Sequence, residues 1–563
     1  MLTPDNMMLE IGAIMLIAFI GAAIASRLRQ SVILGYILVG ILIGPHIHIQ
    51  IGPVVYTGII NDTTIIDFLS HLGLILLMFF IGLEFSFSRV KRTKSAAAII
   101  AMFNLGINMF VGIVLGTALG WPIIDTIFLA GIISMSSSAV AMKSIIELKR
   151  LANPETEYLI GISVMESFLS MILLTIIAGL MIKDGSGSLN LTSLAFGIIA
   201  FYVFFVFLAI IVIPRTLNHL RKIKSDELFV LFALGIVFLA AAFAELLGVP
   251  AIIGAFFIGM VFAETKVSER FHEKIVPFRD AFVAIFFVSF GMLINPALFT
   301  DIWWMVILAV ALVIINDLFL TATIAYLLGF SSKASVSIGT ALCGRDAESV
   351  MFASVGSKAF GATKGAILYP FAGALCFITS AITPLLMKNS LKLADKISKI
   401  IPDFAKHSGA LISRTLSKLI IPRAFPIRRK TKIAMIILVS NFIALCAIIV
   451  TRGLEHIIAF LIGLACTATL HVVISSEVRS IVRNANYSNL NASTRDSILI
   501  ANFVSSFVSG GFVTMMCTAF FFTYYWALSP MALLIYFIWV LIRMKNTYGK
   551  IMTKPMIYPY PNR

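Results

Sequence analysis

Residues 161–180 read GISVMESFLSMILLTIIAGL, apolar enough to cross a membrane, yet Glu166 lies a few residues in from one end, with Ser163, Ser167 and Ser170 close by. A carboxylate in hydrocarbon costs about 2.5–3.5 kcal/mol on insertion scales, so it needs a use or a partner. Such a group holds either a proton or a cation. The competing reading is a neutral acid hydrogen-bonded to a neighbouring helix. Further along, Asp317 lies deep in the apolar run VALVIINDLFLTAT beside Asn316, and reads either as a partner for Arg345 or as a neutral acid held by Asn316. Arg345, Asp346 and Glu348 fall together in CGRDAESVMF, and a helix would put Arg345 and Glu348 on one face, able to pair. That cluster reads either as a self-neutralised salt bridge closing a broken helix or as the lining of an ion path that tunes Glu166. The run SMSSSA at 134–139 holds Ser136, Ser137 and Ser138. Where a helix unwinds there, its carbonyls can coordinate Na⁺ or K⁺; close packing of small residues is the other reading. Glu84, Glu245 and Glu264 sit at the ends of apolar runs, as interfacial or gate-like groups. Lys143 is explained there by snorkelling.

Other chemistries find little support. The sequence contains no GxxxxGK[ST] phosphate loop, no HExxH and no CxxC, and its eight histidines are scattered. The five cysteines (Cys343, Cys376, Cys446, Cys466, Cys517) lie inside apolar runs and are expected to be free, buried thiols. No cofactor, resident metal or enzymatic reaction is expected.

The elements that must position these groups are membrane spans. The chain of 563 residues is 60% hydrophobic and 12% charged, against about 25% charged residues in soluble domains. Apolar stretches recur from end to end, so a polytopic, all-α membrane protein of the cell membrane is expected. The first of them is read as a retained span, since it has neither a basic leader nor a small-residue cleavage site. About thirteen spans fall within residues 1–387, and the sixth carries Glu166. A basic linker follows at 388–430, then about four further spans at 431–545 and a cytoplasmic tail at 546–563. With the N-terminus outside, the basic loops (Arg27, 88–94, Lys149 with Arg150, 221–224) all face the cytoplasm, Lys358 and Lys364 being exceptions. The net charge of +16 is therefore assigned to membrane orientation and anionic inner-leaflet lipid, not to nucleic acid. In the linker, Ile397, Ile400, Ile401 and Phe404 recur at helical spacing among lysines, as expected of an amphipathic helix on the inner leaflet.

The chain also repeats itself. GYILVGILIG at 35–44 resembles GAFFIGMVFA at 254–263, and LLMFFIGLEF at 76–85 resembles VAIFFVSFGM at 283–292. The polar-centred runs 131–144 and 339–354 complete the series in the same order. An odd number of spans separates the copies, which predicts an inverted repeat, alternating access and a site near mid-membrane.

FFIGLEFSFSRVKR at 79–92, ISMSSSAVAMKSI at 133–145, ELLGVPAIIGAFFIGMVFAE at 245–264 and PFRDAFVAIFFVSFGMLINP at 277–296 resemble signatures of the monovalent cation:proton antiporter-2 family, the potassium-efflux and sodium–proton antiporter type. The resemblance covers roughly residues 5–387. It implies a sodium/proton-antiporter fold, a homodimer, and broken spans five and twelve crossing near an ion site on span six. The family's principal aspartate there corresponds to Ser167, with the carboxylate one residue earlier at Glu166. Its usual span-eleven lysine corresponds to the region of Asn316 and Asp317, and its Arg-Gly-Glu-like stretch to Gly-Arg-Asp-Ala-Glu at 344–348. No nucleotide-binding domain of the kind many members carry is apparent after the last span. The expected function is electroneutral exchange of Na⁺ or K⁺ for protons. A non-transporting scaffold or sensor on the same fold, and a transporter of another solute, are the alternatives.

Overall fold

The computed structural model describes residues 4–28, 32–51, 54–60, 62–84, 95–179, 225–246, 250–263, 265, 268–345, 347–359, 361–400 and 454–484, with scattered positions between 437 and 546. The expected spans at 192–213, 431–451, 497–520 and 522–543 lie wholly or mostly outside the described residues, as does the linker beyond residue 400. The chain divides into two compact units, Met1–Asp317 with Thr340–Lys388, and Leu318–Gly339 with Asn389–Arg563.

The first unit opens with α1 (Pro4–Arg27), α2 (Val32–Ile43) and α3 (Thr63–Glu84). Between α2 and α3 the chain forms a short antiparallel hairpin, β1 (Ile49–Ile51) with β2 (Val54–Tyr56). The hairpin is a local feature of an otherwise helical fold, and the span expected at 32–47 is the helix Val32–Ile43. Gly44 and Pro45 end the helix, and the alternating apolar sequence after them suits a strand. Asp62 caps α3, its Oδ1 accepting from Thr64 N at 2.8 Å. Then come α4 (Ser95–Ala118), the half-helices α5 (Ile123–Ser134) and α6 (Ser138–Glu147), and α7 (Pro154–Gly179). After the undescribed stretch follow α8 (Asp226–Leu246), α9 (Ala251–Ala263) and α10 (Ser268–Met292). The next span is α11 (Phe299–Ile315), a π-helical turn (Asn316–Thr321) and α12 (Ala322–Leu327). Two more half-helices, α13 (Ser332–Leu342) and α14 (Ala347–Ser357), precede α15 (Gly365–Ile400). The second unit takes in α12, α13 as far as Gly339, α15 from Asn389 onward, and α16 (Leu454–Asn484). Eight helices among the described residues are long and apolar enough to cross a membrane, with further shorter apolar ones.

Lipid is as apolar as a leucine side chain, so close packing, not exclusion from water, must hold these helices together. The glycines of the repeated segments supply it. A Cβ on Gly40 of α2 would meet Val288 O at 2.1 Å and the Cα of Gly291 in α10 at 2.8 Å. A Cβ on Gly259 of α9 would meet Phe79 O at 2.3 Å and the Cα of Gly82 in α3 at 2.9 Å. Around these crossings Phe79, Phe256, Phe262, Phe286, Phe287 and Phe290 are fully buried. Phe79 meets Phe262 edge to face, with centroids 6.2 Å apart.

Two spans are broken within this unit. Met135 and Ser137 are extended (ψ 118° and 109°), and the Ser137 hydroxyl caps α6 by accepting from Val140 N at 3.0 Å. The second break runs from Cys343 to Arg345. The breaks cross each other: Ser137 N donates to Gly344 O at 2.7 Å. A Cβ on Gly344 would stand 3.3 Å from both Ser137 Cβ and Thr383 Oγ1, so only a small residue keeps the crossing close. α15 runs unbroken through Pro370 and Pro384 to Ile400, so the first helical stretch of the basic linker is continuous with the span before it.

Candidate functional site

Glu166 projects from the middle of α7 and is 1% exposed. Its Oε1 accepts from Asn104 Nδ2 of α4 at 2.8 Å, and its Oε2 accepts from the hydroxyl of Ser136 in the first helix break. Among the described residues, then, its hydrogen-bond partners are neutral. A charged carboxylate in this setting has dipoles around it but, among the described residues, no cationic side chain bonded to it. That leaves it open to a proton or a metal cation.

Asp317, in the π-helical turn, is fully buried and bonded on both oxygens. Oδ1 accepts from Asn108 Nδ2 at 2.8 Å, and Oδ2 lies 3.2 Å from a guanidinium nitrogen of Arg345. Arg345 is also fully buried, at the second helix break. Its Nε donates to Ile133 O at 2.7 Å, and its other terminal nitrogen to Leu342 O and Gly344 O at 2.7 and 3.1 Å. These carbonyls lie at or beside the broken ends of α5 and α13, where a helix leaves acceptors unsatisfied. One guanidinium thus serves both breaks and neutralises Asp317. Helix α15 holds the same residue from behind: Arg345 N donates to Thr379 Oγ1 at 3.0 Å, and Arg345 O accepts from Ser380 Oγ at 2.9 Å.

The expected pairing of Arg345 with Glu348 is therefore corrected. Arg345 stands in the break ahead of α14, outside the helix that begins at Ala347, so helical i, i+3 spacing does not apply to it, and its guanidinium pairs with Asp317. Glu348 instead lies in the first turn of α14, buried, and accepts a hydrogen bond from the Ser167 hydroxyl. Of the three serines, Ser136 reaches Glu166, Ser137 caps α6, and Ser138 is exposed at the start of that helix. Asn316 is buried, and neither amide atom has a hydrogen-bond partner among the described residues. Asp317 is held by Asn108 and Arg345, not by Asn316. Asp346 and Glu264 lie outside the described residues, as does the side chain of Glu84; Glu245 is exposed. Lys143 lies 4.0 Å from Glu147 on α6.

Sequence reasoning missed Asn104 and Asn108. They stand four apart in the apolar run of α4, a spacing that puts two amides on one helix face, and that signal was available. It also missed Asp125, fully buried at the start of α5, which accepts from Thr363 N, Thr363 Oγ1 and Lys364 N at 3.0–3.1 Å. Lys358, one of the two exceptions to the charge asymmetry, lies 3.1 Å from Asp67 and 2.7 Å from His71 Nε2.

A buried carboxylate with neutral donors, beside two crossing helix breaks in a bundle of membrane-length helices, is the arrangement expected of a multi-pass membrane protein that moves small ions. The chain belongs to the sodium/hydrogen exchanger, transmembrane family, whose model matches residues 14–388. It is 33% identical to the K(+)/H(+) antiporter subunit KhtU of Bacillus subtilis, over 70% of this chain and 96% of that one. It is 29% identical to the probable Na(+)/H(+) antiporter GerT of Bacillus cereus, over 62% and 90% of the two chains. With the Na(+)/H(+)-K(+) antiporter GerN of the same organism it shares 27% identity, over 69% and 97%.

Proposed function

We propose that this protein exchanges a monovalent cation, Na⁺ or K⁺, for protons across the cell membrane by alternating access, with Glu166 as the carboxylate that proton and cation occupy in turn. The observation that carries the reading is the division of labour between the buried acids. Asp317 is already matched by Arg345, whereas the bonds to Glu166 come from Asn104 and Ser136, which carry no charge. One carboxylate then trades one proton for one cation, and the cycle is electroneutral. Relatives named for K⁺/H⁺, Na⁺/H⁺ and Na⁺/H⁺-K⁺ exchange support a monovalent substrate. The alternating-access part draws support from the two glycine crossings. They join α2 to α10 and α9 to α3, as expected if the repeated segments are exchanged by an inverted repeat. A homodimer, and anionic lipid against the basic linker, complete the proposal.

The test is cation-driven proton flux in proteoliposomes, taken cation by cation, with an imposed potassium–valinomycin potential when Na⁺ is the test ion. Flux is expected that is insensitive to the potential and abolished in a folded Glu166→Gln variant. A cycle moving one net charge would respond strongly, at about 2.3 kcal/mol per charge per 100 mV. Undiminished flux in Glu166→Gln would remove that residue from the mechanism. A potential-dependent rate lost in Asp317→Asn would place Asp317 among the exchanging groups.

A further inference from the structure

Glu166 and Asp317 sit on different helices, yet an unbroken series of hydrogen bonds joins them through two side chains of α4. Asn104 Nδ2 donates to Glu166 Oε1 at 2.8 Å. Asn104 Oδ1 accepts from Asn108 Nδ2 at 3.1 Å. Asn108 Nδ2 donates to Asp317 Oδ1 at 2.8 Å, and Asp317 Oδ2 meets Arg345. All five side chains are at most 1% exposed. In a low-dielectric interior a bond lost here is costly.

We propose that Asn104 and Asn108 are positioning residues that make the protonation of Glu166 depend on that of Asp317. The series has a direction: each amide turns its NH₂ toward a carboxylate oxygen, which suits oxygens that accept. If Asp317 Oδ1 takes a proton it becomes a donor, and Asn108 must present its carbonyl instead. It has that acceptor in reserve, because Asn108 Oδ1 has no partner among the described residues. Turning the Asn108 amide withdraws its NH₂ from Asn104 Oδ1. The Asn104 amide, having lost that donor, then holds Glu166 Oε1 less firmly. A proton at one carboxylate is thereby felt at the other through neutral groups, in addition to the direct field between them.

The charged and titratable surroundings are few. Glu166 is faced by Asn104 and Ser136 and feels the charges of Asp317 and Arg345. Asp317 is faced by Arg345 and Asn108, with the Cys343 thiol nearby. Glu348 is held by Ser167, next to Glu166 in the chain.

The proposal rests on Glu166 as the exchanging carboxylate, but its test does not need transport. Infrared titration of the purified full-length protein follows the carboxyl stretch of protonated Glu166, assigned by its loss in Glu166→Gln. Asp317→Asn should move that midpoint by about one pH unit, a tenfold change in proton affinity. In an Asn108→Leu background of similar volume the same change should move it by less than about a third of a unit. Where Asn108→Leu does not fold, Asn104→Leu breaks the neighbouring link and should give the same reduction. An equal shift in both backgrounds, or none in the native one, would overturn the relay. Absence of flux for every cation would instead refute the antiport reading and leave the infrared result standing.

Discussion

At the scale of single residues, Arg345 is the most heavily committed side chain in the site. It neutralises Asp317 and occupies carbonyls on both sides of the crossing. Removing one member of a buried ion pair costs about 3–5 kcal/mol, because the partner's charge is left uncompensated. Arg345→Ala should therefore lower the melting temperature of the detergent-purified protein substantially. Arg345→Lys should recover only part of it, since a single ammonium cannot reproduce the guanidinium fork. An unchanged melting temperature in Arg345→Ala would mean that the crossing holds together without this group. Glu166 shows the contrasting logic. Its bonds come from an amide and a hydroxyl, neither of them charged, which is what the proposed change of occupant calls for.

At the scale of elements, the helix crossings depend on backbone approaching backbone. A Cβ on Gly259 would press on Phe79 O at 2.3 Å, and a backbone carbonyl cannot rotate aside as a flexible side chain can. Overpacking a close crossing typically costs 1–3 kcal/mol, roughly, so Gly259→Ala should destabilise the protein by about that much. Gly235, inside α8, has nothing within 4 Å of its added Cβ. There, Gly235→Ala should be neutral or stabilising by about 0.5–1 kcal/mol, because glycine is a poor helix former. Thermal melts of the two variants side by side would decide the matter. Equal effects would mean that backbone contact at Gly259 contributes nothing particular. The helix breaks follow related reasoning: a capping serine on one side and a glycine on the other let two interrupted spans meet through Ser137 N and Gly344 O.

At the scale of the whole molecule, the family match ends at residue 388, while α15 continues to Ile400. Lys333 lies 3.9 Å from Asp395, and Leu318, Val336 and Ala394 form a small apolar cluster. A chain ending near residue 410 keeps these contacts, since all of their members precede the cut. It should insert in the membrane and behave as a folded dimer in detergent, with the later spans dispensable for the core. Aggregation of the shortened chain, measured by size-exclusion chromatography, would show instead that the two membrane blocks fold as one.

The sequence by itself determined the class of molecule. Membrane spans are legible because hydrocarbon admits only long apolar helices, and a glutamate in one of them is conspicuous because it is costly. The repeated glycine and phenylalanine segments, and the motifs shared with cation:proton antiporters, pointed to the family that the match over residues 14–388 establishes. Which buried groups touch was left to the tertiary structure. The sequence offered Arg345 two acids, Glu348 by local spacing and Asp317, without deciding between them; in the fold Arg345 stands in the break ahead of α14 and its guanidinium goes to Asp317, 28 residues away in the chain. Asn108 and Asp317 are 209 residues apart, Ser167 and Glu348 181, and no periodicity within one helix can report such contacts. A span's composition says that a polar group is buried; only the packing of other spans against it decides what satisfies that group, because lipid offers no hydrogen bonds and the partner must come from elsewhere in the fold.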